Sequence, residues 1–248
     1  MARRDVIEAR IAKLVDGFGR YVQTYDDRAP FRGEQLTAHR ATIALRRQAG
    51  SVRAAVENQQ FVTSLRQTLL AWGLGRRASR LVPDDKFAEA LRAAVPRIEL
   101  LEPLTIDAAG LPDNIAETLR LLIDSLGVVE NKAKLVAGTK TLHHLLPDLV
   151  PPMDRAWTGK FFNFHVPEWQ DAAGQRRIFQ TAYDQFVKVA QQGGPEQHVT
   201  NTGWRTSRTK IIDNALIGFC KLELADDEQW QLPTLCRGPR LSASSAEV

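Results

Sequence analysis

The sequence predicts an all-α fold, organised as a single globular helical domain. Apolar side chains recur at spacings of three and four along most of the chain, and the strict alternation that is typical of strands is nearly absent. Proline and glycine separate the helical stretches, and the loops between them are short. We expect the helical domain to span residues 1–236, with two helical lobes around a cleft as an alternative arrangement. The serine-rich residues 237–248 are expected to form a disordered tail.

Each helical element is predicted by a stripe of apolar residues and by the residue that ends it. The stripes lie at 6–22, 41–47, 61–72, 87–95, 115–126, 142–146, 178–190 and 211–222. Five of them stop at a helix-breaking signal, namely at Gly73, Pro96, Gly127, Pro147 and Gly193. No internal repeat and no flexible linker divides the chain, which favours one domain.

Composition excludes several classes of protein. Hydrophobic residues make up 44% of the 248-residue chain, enough for a sizeable core, and no apolar run approaches the roughly 18 residues of a membrane helix. The N-terminus leads directly into an amphipathic pattern without a signal peptide. Cys220 and Cys236 are too few for a disulfide framework or a four-cysteine metal site. We therefore expect a cytoplasmic protein without a membrane association, and the oligomeric state is left open.

Charge is distributed in blocks. Residues 1–80 carry a net +8, residues 81–131 a net −6, residues 132–210 a net +5 and residues 211–248 a net −3. Two basic blocks separated by an acidic one indicate a basic face that attracts phosphate groups. Solvated helix faces in an arginine-rich chain are the alternative explanation.

The stretch from 127 to 165 contains the most informative pattern. We expect a helix to end near Gly138, a second to start at Thr139 or Lys140 and to stop at Pro147, and an extended segment to deliver Asp154 to the start of a third helix. The second helix would be about 12 Å long, and the loop after it can fold back over a similar distance, so Lys140 and Asp154 can meet in one cleft. An aspartate at a helix N-terminus stays ionised, and a fixed anion is what an oxocarbenium-like transition state requires.

This stretch resembles the helix-hairpin-helix DNA glycosylase superfamily. The segment 136–140 looks like the hairpin and first helical turn of that family, and the segment 150–154 looks like the segment that carries its catalytic aspartate. The resemblance implies that Asp154 stabilises the developing sugar cation and that Lys140 occupies the position of a Schiff-base lysine, while Gly138 and Thr139 contact the DNA backbone. Here 14 residues separate Lys140 from Asp154, about one helical turn fewer than the family pattern leads us to expect. The alternative is that Asp154 is only a helix cap and Lys140 a solvated side chain.

A second hairpin-like signal lies upstream. Gly73, Gly75 and the following residues match a glycine–apolar–glycine pattern, in which backbone N–H groups at the start of the next helix hold a DNA phosphate. Arg76 and Arg77 would add positive charge. A simple glycine helix terminus with exposed arginines explains the pattern equally well.

Aromatic residues cluster after Asp154. Trp157, Phe161 and Phe162, together with His144, are candidates for a pocket that stacks against a base flipped out of the duplex. The alternative is that these aromatic residues belong to the hydrophobic core.

A polar segment precedes the last helix. Arg205, Arg208 and Lys210, close to a helix N-terminus, form a combination that is suited to binding phosphate. Solvated capping residues are the alternative.

Metal catalysis is disfavoured. The adjacent residues His143 and His144 point about 100° apart on a helix, and the usual ligand spacing of three or four is missing. We expect neither a metal site nor a cofactor. Phosphate-cradling loops, dinucleotide fingerprints and nucleophile elbows are also absent from the sequence.

The leading hypothesis is a DNA N-glycosylase that acts on a damaged or modified base flipped from double-stranded DNA, in repair or in defence against modified foreign DNA. The resemblance also leaves room for a lyase step through Lys140. Two alternatives remain: a non-catalytic helical nucleic-acid-binding protein, and a helical scaffold whose basic faces are incidental.

Overall fold

Helices form the regular structure of residues 3–31, 33–75, 79–131 and 134–225, which are the residues that the computed structural model describes. These ranges contain eleven α-helices and no β-strand, so the predicted all-α fold is confirmed. In chain order the helices are α1 (Arg3–Asp16), α2 (Phe18–Arg28), α3 (Glu34–Gln48), α4 (Val52–Glu57), α5 (Gln59–Ala71), α6 (Asp84–Glu99), α7 (Ile115–Ser125), α8 (Lys134–Leu145), α9 (Trp157–Phe162), α10 (Ala172–Gly193) and α11 (Arg208–Glu223). The predicted tail, 237–248, lies outside the described residues.

Most helix boundaries follow the signals in the sequence. Helix α5 ends before Gly73, α7 before Gly127 and α8 before Pro147, as predicted. Side-chain caps begin four of the helices: Ser51, Asn58, Asp171 and Ser207 accept hydrogen bonds from backbone N–H groups of the first turn.

Two helix boundaries outside the 127–165 stretch differ from the prediction. The first apolar stripe is divided at Gly17 into two helices, and α6 continues through Pro96 to Glu99. Val95 and Ile98 on either side of the proline are both buried, so packing of the apolar face holds the last turn although Pro96 donates no backbone hydrogen bond. Tertiary burial therefore outweighs the local helix-breaking signal.

Helix α11 lies at the centre of the fold. Most of its residues are buried, and it packs along α2 and contacts α9 and α10. Elsewhere α3 packs on α5, α4 on α6, and α7 on both α8 and α10. The buried apolar side chains form one continuous core. Among the described residues, no helix combines the length and the apolar character needed to cross a bilayer.

Ion pairs between helices account for part of the charge pattern. Several arginines of the basic block 1–80 bind carboxylates of the acidic block 81–131. These pairs are Arg46–Glu102, Arg53–Glu99, Arg66–Asp84 and Arg80–Glu130. The alternation of basic and acidic blocks thus reflects, in part, pairing between helices, and these four arginines are not free cations on a basic face.

Candidate functional site

A pocket opens where α8, α11, the end of α5 and the segment before α9 meet. Its empty space is about 380 Å³ when the open mouth is included. Charged and aromatic side chains line it: Phe31, Trp72, Lys140, Pro152, Asp154, Trp204, Lys210, Asp213 and Ile217. Lys140 and Asp154, which the sequence predicts to share a cleft, therefore line the same pocket.

A single hydrogen bond explains how these two residues meet. The backbone N–H of Met153 donates to Oγ1 of Thr139 at 3.2 Å, and this bond ties the segment before α9 to the middle of α8. Asp154 follows Met153 and Lys140 follows Thr139, so the bond brings these two residues to the lining of the same pocket.

Lys140 is a buried lysine without a carboxylate partner. Its side chain emerges from α8, and its Nζ donates to the carbonyl oxygen of Trp72 at 3.1 Å; among the described residues it forms no ion pair. Burial lowers the pKa of Lys140, and the negative charges of Asp154 and Asp213 offset this effect only in part. A lysine in this environment supplies a neutral amine more readily than a surface lysine does.

Asp154 is both a cap and a pocket residue. Its Oδ1 accepts the backbone N–H of Trp157 at 2.7 Å, just as the capping alternative requires. The side chain is only half-buried and lines the pocket. No described residue bonds to Oδ2, so one carboxylate oxygen is held by the helix terminus and the other is available to a ligand.

A second lysine–aspartate pair comes from α11. Lys210, only 2% exposed, donates to Oδ2 of Asp213 at 2.7 Å and to Oδ1 of Asn214 at 2.5 Å. Its ammonium also lies 4.8 Å from the ring centre of Tyr25 and 5.0 Å from that of Trp204. Lys210 is therefore part of the pocket wall and not a surface cation for a phosphate backbone.

Two tryptophans form aromatic walls and are held by their own hydrogen bonds. The indole N–H of Trp204 donates to the carbonyl oxygen of Phe31 at 3.0 Å, and that of Trp72 to the carbonyl oxygen of Gln35 at 3.4 Å. His39 contacts both indoles, with ring centres 5.3 Å from Trp204 and 5.1 Å from Trp72. These contacts fix the walls before any ligand enters.

Behind the tryptophans runs a chain of neutral histidines. Nδ1 of His144 lies 2.8 Å from the carbonyl oxygen of Lys140, which can only accept, so Nδ1 carries the proton. Nε2 of His144 must then accept from Nδ1 of His39, 3.0 Å away. Nε2 of His39 in turn accepts from the hydroxyl of Thr206 at 2.8 Å. In this arrangement each imidazole carries one ring proton and accepts with its other nitrogen, so both rings are neutral.

Burial also favours the neutral form of these histidines. It lowers the pKa of His144 to about 4 and the pKa of His39 and of His143 well below the ordinary value. His144, predicted as a pocket residue, is completely buried behind Trp72 and helps to hold α8 to α3. Its position is that of a support for the pocket wall.

The predicted hairpin at Gly138 is wrong. Gly138 and Thr139 lie in the middle of α8, both buried. A Cβ on Gly138 would lie 2.7 Å from Cγ2 of Ile123, so this glycine serves the close packing of α8 on α7. Thr139 bonds back to the carbonyl of Leu135. Neither backbone N–H is available to a DNA phosphate, because each is enclosed in a continuous helix.

The upstream glycines end a helix, as predicted, but no helix starts in the described residues directly after them. Gly73 and Gly75 follow α5 with φ of 85° and 97°, and the next described helix, α6, begins at Asp84. Arg76 and Arg77 lie outside the described residues. The glycine terminus is therefore observed, whereas a phosphate-binding helix start at this point is not.

The predicted aromatic base pocket belongs largely to the core. Phe161 and Phe162 are fully buried; Phe161 packs on Phe219, and Phe162 on Phe186. Trp157 is half-buried, lies outside the pocket lining, and carries the ammonium of Lys221 5.5 Å from its ring centre. Because α9 turns its phenylalanines towards α10 and α11, other aromatic residues line the pocket.

The arginines before α11 are paired within the protein. Arg205 binds Asp26, and Arg208 binds both Asp107 and Glu196. These pairs tie the loop before α11 to other parts of the fold. Arg205 and Arg208 therefore cannot bind phosphate without giving up a carboxylate partner.

Reasoning from the sequence missed Asp213, Trp72, Trp204 and Phe31 as pocket residues. The spacing of Lys210, Asp213 and Ile217 along α11 places them on one helix face and was a usable signal. Phe31 and Trp72 carry no local signal, since only the packing of α3 and α5 against α8 brings them to the pocket.

The comparisons with known proteins add no family assignment. No family model, no curated protein and no solved structure matches the chain. The part of the chain that the structure describes also contains no group of three or more histidine, cysteine, aspartate or glutamate side chains arranged for a metal ion. The pocket itself is therefore the basis for a functional proposal.

Proposed function

We propose that this protein cleaves an N-glycosidic bond, with the base of a DNA nucleotide flipped into the pocket that Trp72 and Trp204 line. The observation that carries the proposal is that an amine without a carboxylate partner and a carboxylate with a free oxygen line one open pocket with aromatic walls. Each component matches a requirement of the reaction: the walls stack on a planar base, and the anion faces the sugar.

In the hydrolytic route, the bond between C1′ and the base nitrogen breaks, and the base leaves with the electron pair. The carboxylate of Asp154 stabilises the positive charge that develops on the sugar, because it is an anion whose position is set by the start of α9. The oxygen of a water molecule forms the new bond to C1′. That water loses a proton, the departing base gains one, and the products are the free base and an abasic sugar.

In the second route, the neutral amine of Lys140 replaces water. Its nitrogen forms the bond to C1′ as the base leaves, and the proton lost by the amine balances the proton gained by the base. The C1′–O4′ bond then breaks as the nitrogen lone pair forms a C=N bond to C1′, and O4′ takes up a proton from solvent. The resulting iminium ion is reduced by borohydride to a stable amine. The lowered pKa of Lys140 favours this route, since it raises the neutral fraction of the amine.

Contacts to the DNA backbone would come from side chains other than those the sequence suggested. Arg155 directly follows Asp154 and is exposed, and Lys221 lies one turn of α11 beyond Ile217. The charge of Arg28 acts on Lys221, so these two cations are neighbours. We propose these three cations as the phosphate contacts, and salt-dependent DNA binding would distinguish this model from a helical scaffold.

The first test compares Asp154→Asn with the parent on duplexes that carry damaged or modified bases, with abasic sites measured by alkaline strand cleavage. Asparagine also caps helices, so the fold should persist while base release falls at least tenfold. Asp171→Asn is the matched control, because Asp171 caps α10 through the N–H of Gly174 at 2.7 Å but lies outside the pocket lining. Equal activity of Asp154→Asn and the parent would refute the role of Asp154. If the parent releases no base, the result would favour the alternative hypothesis of a non-catalytic helical nucleic-acid-binding protein.

The second test is reductive trapping by borohydride. The parent should form a covalent complex with DNA, and Lys140→Met should abolish it. Lys160→Met is the matched control, because Lys160 also donates to a backbone carbonyl, that of Leu224, but does not line the pocket. A trapped complex that survives in Lys140→Met would assign the amine to another residue; release of base without any trapped complex would leave hydrolysis as the route.

A further inference from the structure

Asp213 lines the pocket, and one of its carboxylate oxygens has no partner among the described residues. Its Oδ2 is held by Lys210 at 2.7 Å, whereas no described residue bonds to Oδ1. The side chain is 14% exposed and belongs to the pocket lining. An oriented hydrogen-bond acceptor is therefore presented to any occupant.

The ammonium that holds Asp213 is itself fixed from several directions. Lys210 bonds to Asn214, and the side-chain amide of Asn214 donates to the carbonyl oxygen of Trp204 at 3.2 Å. The rings of Tyr25 and Trp204 lie against the same ammonium. Because these partners leave Lys210 no freedom to swing, the Asp213 carboxylate is preorganised relative to the wall of Trp204.

The pocket also offers a donor next to this acceptor. Lys140 uses one N–H in its hydrogen bond to the carbonyl of Trp72, and even a neutral amine has a second N–H group. The charges of Lys140 and Asp154 both act on Asp213, so the four charged groups lie close together. A ring that stacks on one of the tryptophans in this pocket thus has an acceptor and a donor within the same lining.

We propose that Asp213 is the residue that reads the base, by accepting an N–H from the edge of a nucleobase such as adenine or cytosine. This inference rests on the proposed function in taking a nucleobase as the occupant. It adds a specificity-determining residue, with Lys210 as the residue that positions it. Carboxylate acceptance from an exocyclic amino group is an established mode of base recognition.

The test measures binding of free bases by calorimetry, independently of catalysis. The probes are adenine and N6,N6-dimethyladenine, which lacks the exocyclic N–H. The parent should prefer adenine, and Asp213→Asn should reduce adenine affinity by about tenfold to a hundredfold while leaving the dimethyl analogue nearly unchanged. Asp107→Asn is the control, since Asp107 pairs with Arg208 of the same helix α11 but does not line the pocket.

Three outcomes would overturn the proposal: no preference of the parent for adenine, equal loss of affinity for both probes in Asp213→Asn, or no binding of either probe at millimolar concentration. Repeating the titration with adenosine, a single-stranded oligonucleotide and a duplex identifies the source of the base. Base release from DNA decides the proposed function separately. If Asp213→Asn still releases base with unchanged selectivity, only the proposed role of Asp213 is refuted. If base binding depends on Asp213 but no base is released from DNA, only the proposed glycosylase activity is refuted.

Discussion

Replacing Gly218 by alanine is expected to lower the free energy of unfolding by about 3 kcal/mol or more. A Cβ at this position would lie 2.0 Å from the carbonyl oxygen of Tyr21 and 3.2 Å from the backbone nitrogen of Tyr25. Both atoms belong to the backbone of α2, which cannot rotate away as a side chain can. Helices α2 and α11 would have to separate by about 1 Å at their closest approach, and packing along the whole contact would loosen.

The higher helix propensity of alanine is too small to restore the stability of Gly218→Ala. Alanine gains about 1 kcal/mol of helix propensity over glycine, less than the expected loss. Urea denaturation followed by circular dichroism measures the difference. Gly110→Ala is the control, because Gly110 has no atom within 4 Å of a Cβ and no positive φ. Equal stability of the two variants would show that the contact between α2 and α11 is not as tight as described.

Acidification from pH 7 to pH 4.5 is expected to cost several kcal/mol of stability through the buried histidines. Unfolded His144 takes up a proton near its ordinary pKa of 6.5, but in the folded protein its pKa is about 4. Between these values the unfolded state holds more protons, so stability falls as pH falls. The loss for His144 alone approaches about 3 kcal/mol, at 1.36 kcal/mol per pKa unit.

Burial also lowers the pKa of His39 and of His143, so these residues make stability fall more steeply as pH falls. The lowered pKa of Glu168 and of Glu223 adds a further loss of stability as pH falls through the ordinary carboxyl range, whereas the raised pKa of Asp213 acts in the opposite sense. The difference in slope between the parent and His144→Gln therefore isolates the contribution of His144.

Urea denaturation at pH 7.5, 6.5, 5.5 and 5 measures this dependence. His144→Gln should reduce the slope of stability against pH by about one proton, although its stability is lower at every pH. Constant stability of the parent from pH 7 to 5 would contradict the neutral chain from Thr206 to Lys140.

The sequence predicted two residues of the pocket, Lys140 and Asp154. It did not predict which distant residues pack against or pair with the predicted site residues. The meeting of Lys140 and Asp154 was predictable, because a short helix, a proline stop and a short return segment limit how far apart the two can be. The role of Gly138 was not, since a glycine that permits close helix packing and a glycine that ends a helix look alike in one sequence. Ile123, which decides between the two, lies 15 residues away.

The basic residues before α11 show the same difference between what the sequence predicts and what the tertiary structure determines. The residue types of a phosphate-binding site are present at Arg205, Arg208 and Lys210. The two arginines, however, bind the distant residues Asp26 and Asp107, and sequence spacing does not predict these pairs. The partner of Lys210 is local, three residues along the same helix, but whether the pair faces solvent or a pocket depends on how α11 is packed.

By itself the sequence determined that the chain is helical, where most helices end, and that one amine and one carboxylate can share a cleft. These properties depend on periodicity, capping residues and chain length, which act over a few turns of helix. Only the tertiary structure decided which aromatic residues form the walls, which cations are already paired, and that a neutral histidine chain supports the site. Those properties depend on contacts between residues far apart in sequence, such as His39 with His144, and no local pattern encodes such a contact.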